Sequence, residues 1–364
     1  MKSGLNNIDI CAIVNELKLS LINKHVKNFY QLSDTEFILS YRDEGLKQLF
    51  IEIPNRLHLS EYTYEKPRFP PKFCQAIRKY IRGRRVLNCY QADHLDRIVI
   101  LDIQGEGDDP WKLVMEFFGK GNIILLSPDN VVKIARRYMK MSSETVLANK
   151  QFDFPQQQFD DIFEIDASHF ESLFPENQKK VVNVISRGYN INRDYGIVFC
   201  TEAGISIDAK AGDLAVHEIR DIFEAIQGLK IKLKANQLDP RILYRDPELT
   251  EQVSVEPFDF KKDEMLHARE FSSFNNAVDQ FFTIDIPADQ NEPKKAKKKL
   301  SKNERILVAQ QQQIKEFEAQ ADKFGFLGDL MYQYFKPLNE LLEVVLKAKK
   351  DGMEWDEIER KMAE

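Results

Sequence analysis

Between residues 28 and 136 the chain presents one short apolar run after another, with a single helical pattern among them. That succession dictates antiparallel sheet. The runs are Asn28 to Leu32, Glu36 to Arg42, Leu46 to Ile53 and Leu57 to Tyr62, then Arg85 to Gln91, Arg97 to Gln104, Trp111 to Phe118, Asn122 to Leu126 and Val131 to Arg136. Parallel neighbours would need crossovers of about a dozen residues or more, usually helical, and most connections here are far shorter. Arg42-Asp43-Glu44-Gly45, Gly119-Lys120-Gly121 and Ser127-Pro128-Asp129-Asn130 supply turn chemistry instead. Pro67, Pro70 and Pro71 interrupt the series and start a helix over Lys72 to Ile81 that ends at Gly83. Two antiparallel groups joined by a helix predict an α+β fold with a β-sandwich-like domain. An amphipathic helix precedes it, with Ile10, Ile13, Val14, Leu17 and Leu21 at helical spacing and Asn6, Asn7 and Asp9 around its N-terminus.

One feature conflicts with a plain sheet protein. Asp96 and Arg97 stand side by side at the entrance of the apolar run Ile98-Val99-Ile100-Leu101. Neighbouring side chains of a strand point to opposite faces, so the two charges cannot neutralise each other within it. A buried unpaired charge costs several kcal/mol, on the order of a domain's whole stability margin. The pair therefore sits at a solvated rim or in a functional site, and strand geometry alone leaves both open.

Beyond residue 170 the pattern turns helical. Gln178 to Arg187, Asp194 to Ala203 and Ala211 to Leu229 read as helices with polar, Gly-containing links. Helix-hairpin-helix modules that bind nucleic-acid backbones are built this way, and so are many plain bundles. Extended segments return at Arg241 to Arg245 and Val253 to Phe260, followed by a short helix from Ser272 to Phe282. Ile284 to Lys299 is a linker ending in a lysine run, a solvated spacer or a phosphate contact. From Leu300 a heptad seam of Leu300, Leu307, Ile314 and Ala321 with Phe317 and Phe324 predicts one arm of a coiled coil. A further helix follows from Leu330 to Lys349, with Pro337 expected to kink it.

Composition narrows the function. A net charge of −6 argues against coating nucleic acid through a general positive field, so any such contact must be local. Cys11, Cys74, Cys89 and Cys200 are far apart and lie in apolar segments, which reads as buried thiols of a cytoplasmic protein. No stretch approaches the ~18 apolar residues of a membrane span. No nucleophile triad, His-Glu-x-x-His or Cys/His metal spacing is present, and His58 and His94 read as structural. Gly119 to Asn122 lacks phosphate-loop spacing and reads as a hairpin turn. Arg78, Lys79, Arg82, Arg84 and Arg85, near Tyr80 and Tyr90, could hold an RNA backbone or form a solvated helix end.

Four motifs then carry a resemblance. Pro54-Asn55-Arg56-Leu57-His58-Leu59-Ser60-Glu61-Tyr62, Phe69-Pro70-Pro71-Lys72-Phe73-Cys74, His94-Leu95-Asp96-Arg97-Ile98 and Glu116-Phe117-Phe118-Gly119-Lys120-Gly121-Asn122-Ile123-Ile124-Leu125 occur in the order found in the NFACT family. The chain resembles that family, which takes in the nuclear export mediator factor, RqcH-like quality control proteins and proteins labelled fibronectin-binding protein A. The resemblance implies an N-terminal domain similar to formamidopyrimidine-DNA glycosylases, a helix-hairpin-helix-type insert and the start of a coiled coil. It also implies a factor that binds the large ribosomal subunit blocked by peptidyl-tRNA and recruits tRNA for untemplated alanine tailing of the stalled nascent chain. Within the family an aspartate of the first helix and the Asp-Arg pair are required for tailing. They match Asp9, Asp96 and Arg97. Arg56 joins Arg78, Lys79, Arg82, Arg84 and Arg85 as a candidate RNA contact.

The expected domains are 1–170, 171–235, 236–290 returning to the first, a basic linker 291–299 and a coiled-coil arm with part of a middle region over 300–364. The chain ends before the returning arm, so a fragment or split gene product is expected, and its uncovered seam could pair two copies. The expectation is a binding factor without catalytic residues, metal or cofactor, the chemistry being the ribosome's. Two other classes compete with it: a glycosylase-related nucleic-acid enzyme, which strand scission on damaged DNA would reveal, and a fibronectin-binding adhesin, which surface labelling of cells would reveal.

Overall fold

Ile98 and Ile100 pack into one hydrophobic cluster while Val99 and Leu101 pack into another, so the apolar run at the Asp-Arg pair is a strand buried on both faces. The structure, a computed structural model, describes residues 2–92, 96–140, 145–154, 159–260, 265–283, 328 and 333–353. The chain divides into two compact units, 1–291 and 292–364.

The first unit opens with α1 (Asn7–Leu21), whose apolar face is fully buried. Four meandering strands follow, β1 (His25–Gln31), β2 (Glu36–Asp43), β3 (Gly45–Glu52) and β4 (Arg56–Ser60), paired in sequence order. After α2 (Lys72–Ile81), a five-stranded meander runs through β5 (Val86–Gln91), β6 (Ile98–Ile103), β7 (Trp111–Glu116), β8 (Asn122–Leu126) and β9 (Val132–Ala135). All nine strands pair antiparallel, as their short turns require. The principal core gathers alternate residues of both sheets, such as Leu39, Ile51, Leu101 and Met115, together with Ile10, Ile13 and Leu17 of α1. The second covers the other face of the five-stranded sheet with Val146 and Phe152. The hairpin of β10 (Met139–Lys140) and β11 (Thr145–Val146) leads into that covering segment.

The helical part is α3 (Ala167–Ser172), α4 (Val181–Gly188), α5 (Arg193–Glu202) and α6 (Val216–Lys234). Segments 1–170, 171–235 and 236–290 all contribute to the principal core. α6 starts five residues later than its periodicity predicts, because Ala211–Asp213 closes a 3-10 turn and Glu218 caps the helix by accepting the Ala215 N–H at 2.8 Å. α3 has no usable period. Its cap, Asp166, accepts from His169 N at 2.7 Å. A three-stranded sheet of β12 (Arg241–Tyr244), β13 (Gln252–Glu256) and β14 (His267–Glu270) follows, with β12 central. Every residue of β14 is exposed, so no alternation marked it in the sequence.

α7 (Phe274–Thr283) brings the chain back to the first sheet. β4 is an edge strand there, and an open edge invites pairing with other chains. Asn275 Oδ1 accepts the Leu59 N–H at 2.7 Å and Asp279 Oδ2 accepts the Glu61 N–H at 3.0 Å, so α7 occupies that edge. Glu16 of α1 caps α7 in turn, accepting from Phe274 N and Asn275 N, both at 2.8 Å.

In the second unit, α8 (Phe335–Lys350) is described. Pro337 lies in its first turn, where its missing N–H breaks no hydrogen bond within α8, and the helical run is interrupted just ahead of it, with Gln333 helical and Tyr334 not. The linker 291–299 and the seam from Leu300 to Phe324 lie outside the described residues.

Two stability measurements follow. Glu16→Ala should lower the unfolding free energy by about 1–3 kcal/mol in urea titration, because two backbone donors and the Asn275 side-chain amide lose their acceptor. The second concerns His58, held to a pKa of about 3 by burial and by Arg56, beside Asp279, which burial raises to about 6. As pH falls from 6.5, the unfolded chain gains a proton that folded His58 refuses, so stability drops. Below about 6, folded Asp279 holds a proton that the unfolded chain releases until pH 3.8, which opposes that drop. His58→Leu should flatten the acid limb of stability against pH, and Asp279→Asn should steepen it.

Candidate nucleic-acid interface

Asp9 has no exposed side-chain surface. It begins as a helix cap: Asn6 Oδ1 accepts the Asp9 N–H and Asp9 Oδ2 accepts the Asn6 N–H, both at 2.9 Å. Tyr195 of α5 donates its hydroxyl to Asp9 Oδ1 at 3.0 Å, and Lys2 Nζ pairs with Oδ2 at 2.8 Å. Lys2 also donates to the Val255 carbonyl at 2.8 Å, and its backbone N–H donates to Val253. The N-terminus, α1 and α5 thus meet on one carboxylate, and Lys2 ties it to β13. Burial raises the Asp9 pKa above the carboxylate range and Glu256 adds to it, with Lys2 opposing. Burial works to lower the Lys2 pKa, but Asp9 and Glu256 outweigh it and the net direction is up. The same burial drives the Tyr195 phenol far above its ordinary value, so it acts as a donor.

Asp96 and Arg97 lie at the same end of the unit. Gln91, the last residue of β5, donates through Nε2 to the Asp96 carbonyl at 2.7 Å and to the Asn7 carbonyl at 2.9 Å. Asn7 donates onward to the Asn190 carbonyl, in the link between α4 and α5, at 3.0 Å. The three matched residues are therefore joined through Gln91 and the first turn of α1. Asp96 is half-buried and engaged within the fold, whereas Arg97 is exposed, with its carbonyl accepting the Phe117 N–H at 2.7 Å. The N-terminus of α1 points at this end, which places the positive pole of its dipole there. Gly121 closes the neighbouring turn at φ +65°, where a Cβ would come within 2.7 Å of Ile53 Cβ. Gln91 also lines a cavity of about 720 Å³ between α1, the five-stranded sheet and α6, with Lys18, Lys112, Lys230 and Tyr90 on its walls.

The other candidate cations lie elsewhere. Arg84 and Arg85 precede β5 while Arg97 lies beyond its far end, roughly 20 Å away at ~3.3 Å per residue. Arg84 is bound to the Gly105 carbonyl at 2.9 Å and to Glu106. Arg78 donates to the Phe29 carbonyl at 2.6 Å and stacks on Tyr30. Arg56 pairs with Glu52 at 2.8 Å and lies over the Phe282 ring, leaving its side chain 13% exposed. Lys79, Arg82 and Arg85 are exposed. The structure groups Asp9, Asp96 and Arg97 and leaves these arginines and Lys79 out of that group.

A family model described as NFACT N-terminal and middle domains matches residues 6–364. The chain belongs to the NFACT family. It is 30% identical to the archaeal Rqc2 homolog aRqcH of Methanocaldococcus jannaschii, covering 99% of this chain and 54% of that protein. It is 26% identical to the human ribosome quality control complex subunit NEMF, covering 98% of this chain and 35% of that protein. The chain thus spans about half the length of the archaeal relative and a third of the human one. The fibrinogen binding protein of Staphylococcus aureus superposes at TM-score 0.59 with 16% identity, covering 76% of this chain and 98% of that one, which places the NFACT chain in that fold. The MutM (Fpg) protein of Thermus thermophilus reaches only TM-score 0.34, too low to extend the expected glycosylase likeness.

Lys2, Gln91, Tyr195 and Glu256 escaped the sequence reading. Lys2 and Gln91 each have one partner close in sequence, Asp9 and Asp96. The contacts that tie them to other elements, with Val255 and Asn7, are 253 and 84 residues away. No local spacing announces a contact between Asp9 and Tyr195 across 186 positions. In this NFACT chain no group of three or more His, Cys, Asp or Glu suited to a metal is found among the described residues.

The buried pair yields a double-mutant test. Removing one partner strands the other charge, so Lys2→Met and Asp9→Leu should each cost roughly 3–5 kcal/mol. The double variant should cost well below the sum. Additive losses in urea midpoints would mean the two side chains do not act as a pair.

Proposed function

We propose that this chain is the tRNA- and ribosome-contacting part of a ribosome quality control factor. It binds the large subunit obstructed by peptidyl-tRNA and recruits tRNA for untemplated C-terminal alanine tailing of the nascent chain. The reading is supported by the family match over residues 6–364, together with the display of Arg97 at the end where Asp9 and Asp96 are organised. Arg97 contacts a phosphate or base edge with its planar fork. Asp96 orients that arginine or accepts from a base or ribose. Asp9 is a positioning residue, since its buried carboxylate fixes the first turn of α1 against Lys2 and Tyr195. In this proposal the factor is not an enzyme, and peptidyl transfer is the ribosome's own reaction. The α4–α5 pair serves as a helix-hairpin-helix-type module, and the seam from Leu300 as the first arm of a coiled coil. The factor acts in the cytoplasm; no described helix is long and apolar enough to cross a membrane.

Labelled tRNA titrated with the purified chain tests the assignment. Arg97→Ala should weaken binding about tenfold or more, the worth of a charge-assisted hydrogen bond, without moving the melting temperature. Asp96→Ala should weaken it less. Asp9→Ala should lower binding and melting temperature together. Unchanged tRNA affinity in all three, with unchanged tailing by a longer protein carrying them, would remove the site assignment.

A further inference from the structure

Arg97 begins a longer edge. β6 starts at Ile98, β7 ends at Glu116, β8 starts at Asn122 and β9 ends at Ala135, and the register sets Ile98 opposite Glu116, Glu116 opposite Asn122 and Ile124 opposite Ala135. One end of the five-stranded sheet therefore carries Arg97, then the Gly119-Lys120-Gly121 turn, then the segment from Arg136 to Lys140. Three strand spacings of ~4.8 Å separate β6 from β9, so this rim runs roughly 14 Å.

The far side of the rim is held firmly. Asn122 is fully buried and grips the backbone of Arg137 twice, donating to its carbonyl and accepting from its N–H, both at 3.0 Å. Arg136 donates its own N–H to the Ile123 carbonyl at 2.9 Å. Tyr138 is tethered at its hydroxyl, which accepts the Ala135 N–H at 3.3 Å, yet the residue is 51% exposed. An aromatic ring anchored by its tip and open to solvent costs little further ordering when a flat partner lies on it. Along the same rim lie Arg97, Lys120, Arg136, Arg137 and Lys140, against the carboxylates of Asp96 and Glu116, which already have partners within the fold. This excess of positive charge is local, since the whole chain carries −6.

We propose that this rim binds an unpaired segment of RNA, with the cations tracking phosphates and Tyr138 stacking a base. The proposal rests on the reading of Asp96 and Arg97 as RNA contacts and extends it across the sheet to residues 136–140. A duplex keeps its base faces stacked inside and offers the ring nothing, so the chemistry selects single strand.

Fluorescence anisotropy of the purified chain with a short labelled oligouridylate, and with an RNA duplex of equal length, tests it. The single strand should bind more tightly. Combined Arg136→Ala and Arg137→Ala should weaken it about tenfold or more and reduce the slope of log affinity against log salt by about 1.4, for two phosphates no longer neutralised. Tyr138→Ala should cost roughly 5- to 150-fold, the span of ~1–3 kcal/mol per stacked base, while Tyr138→Phe, which keeps the ring but loses its tether to the Ala135 N–H, should cost clearly less. Backbone contacts of residues 136–138 survive the arginine changes, so their melting temperatures should hold. Both Tyr138 variants lose the acceptor of the Ala135 N–H and should shift alike, which leaves the ring as the difference between them. If Arg97→Ala weakens binding and the rim variants do not, the rim is wrong and the Asp96–Arg97 reading stands. If none of them matters, or the chain does not bind the oligouridylate, the rim proposal fails, and the tRNA titration of Arg97→Ala decides the underlying reading. Displacement of the RNA by polyglutamate at equal charge, with the same dependence on Tyr138, would mark an acidic-peptide surface and overturn the proposal.

Discussion

The ion pair between Lys2 and Asp9 is the contact from which the organisation of this end follows. One carboxylate caps α1, receives the Tyr195 hydroxyl from α5 and holds a lysine that is also tied to β13. Hydrophobic burial supplies far more free energy than this pair does, but it is not directional. Charges buried without water tolerate few arrangements, so the pair fixes which elements meet, and how, where burial alone would accept several packings. The first turn of α1 inherits that fixity, and through Asn7 and Gln91 so does the backbone that presents Arg97.

Much of this architecture was legible locally. The strands of both meanders follow from period and turn residues, since Arg42 to Gly45 and Gly119 to Gly121 leave no room for crossovers. The Asn6–Asp9 capping arrangement lies within four residues of sequence and could be seen around the first helix. What stayed hidden depends on distance along the chain. Nothing near Tyr195 shows that its hydroxyl ends on Asp9, and β14 carries no apolar alternation because all of it faces solvent. Asp96 and Arg97 lie in the bend before β6, which starts at Ile98 and not at Arg97 as its pattern predicts, so strand alternation does not govern them; one is half-buried and engaged, the other exposed.

The five-stranded sheet explains why the recognition surface lies at a strand end. Both of its faces are covered, by the principal core on one side and by the cluster around Val146 and Phe152 on the other. A sheet buried on both faces has its strand ends and connecting turns left for contact with solvent. At one end the β7–β8 turn carries Gly119, Lys120 and Gly121, with Gly121 pressed close to Ile53 and Pro54, and Arg97 and Arg136 stand at the ends of the neighbouring strands. Loops placed by a rigid scaffold are where binding groups are held to fixed positions.

The return of α7 to β4 has a consequence for how the protein is made. A ribosome delivers the chain from its N-terminus, and the first sheet is complete once residue 60 has emerged, with the edge of β4 still bare. The groups that close that edge, Asn275 and Asp279, follow more than two hundred residues later. The carbonyls that tether Lys2, at Val253 and Val255, arrive shortly before them. Over that interval the nascent chain exposes an unpaired strand edge and a solvated Asp9, and the first sheet stays open to mispairing until its last helix is synthesised.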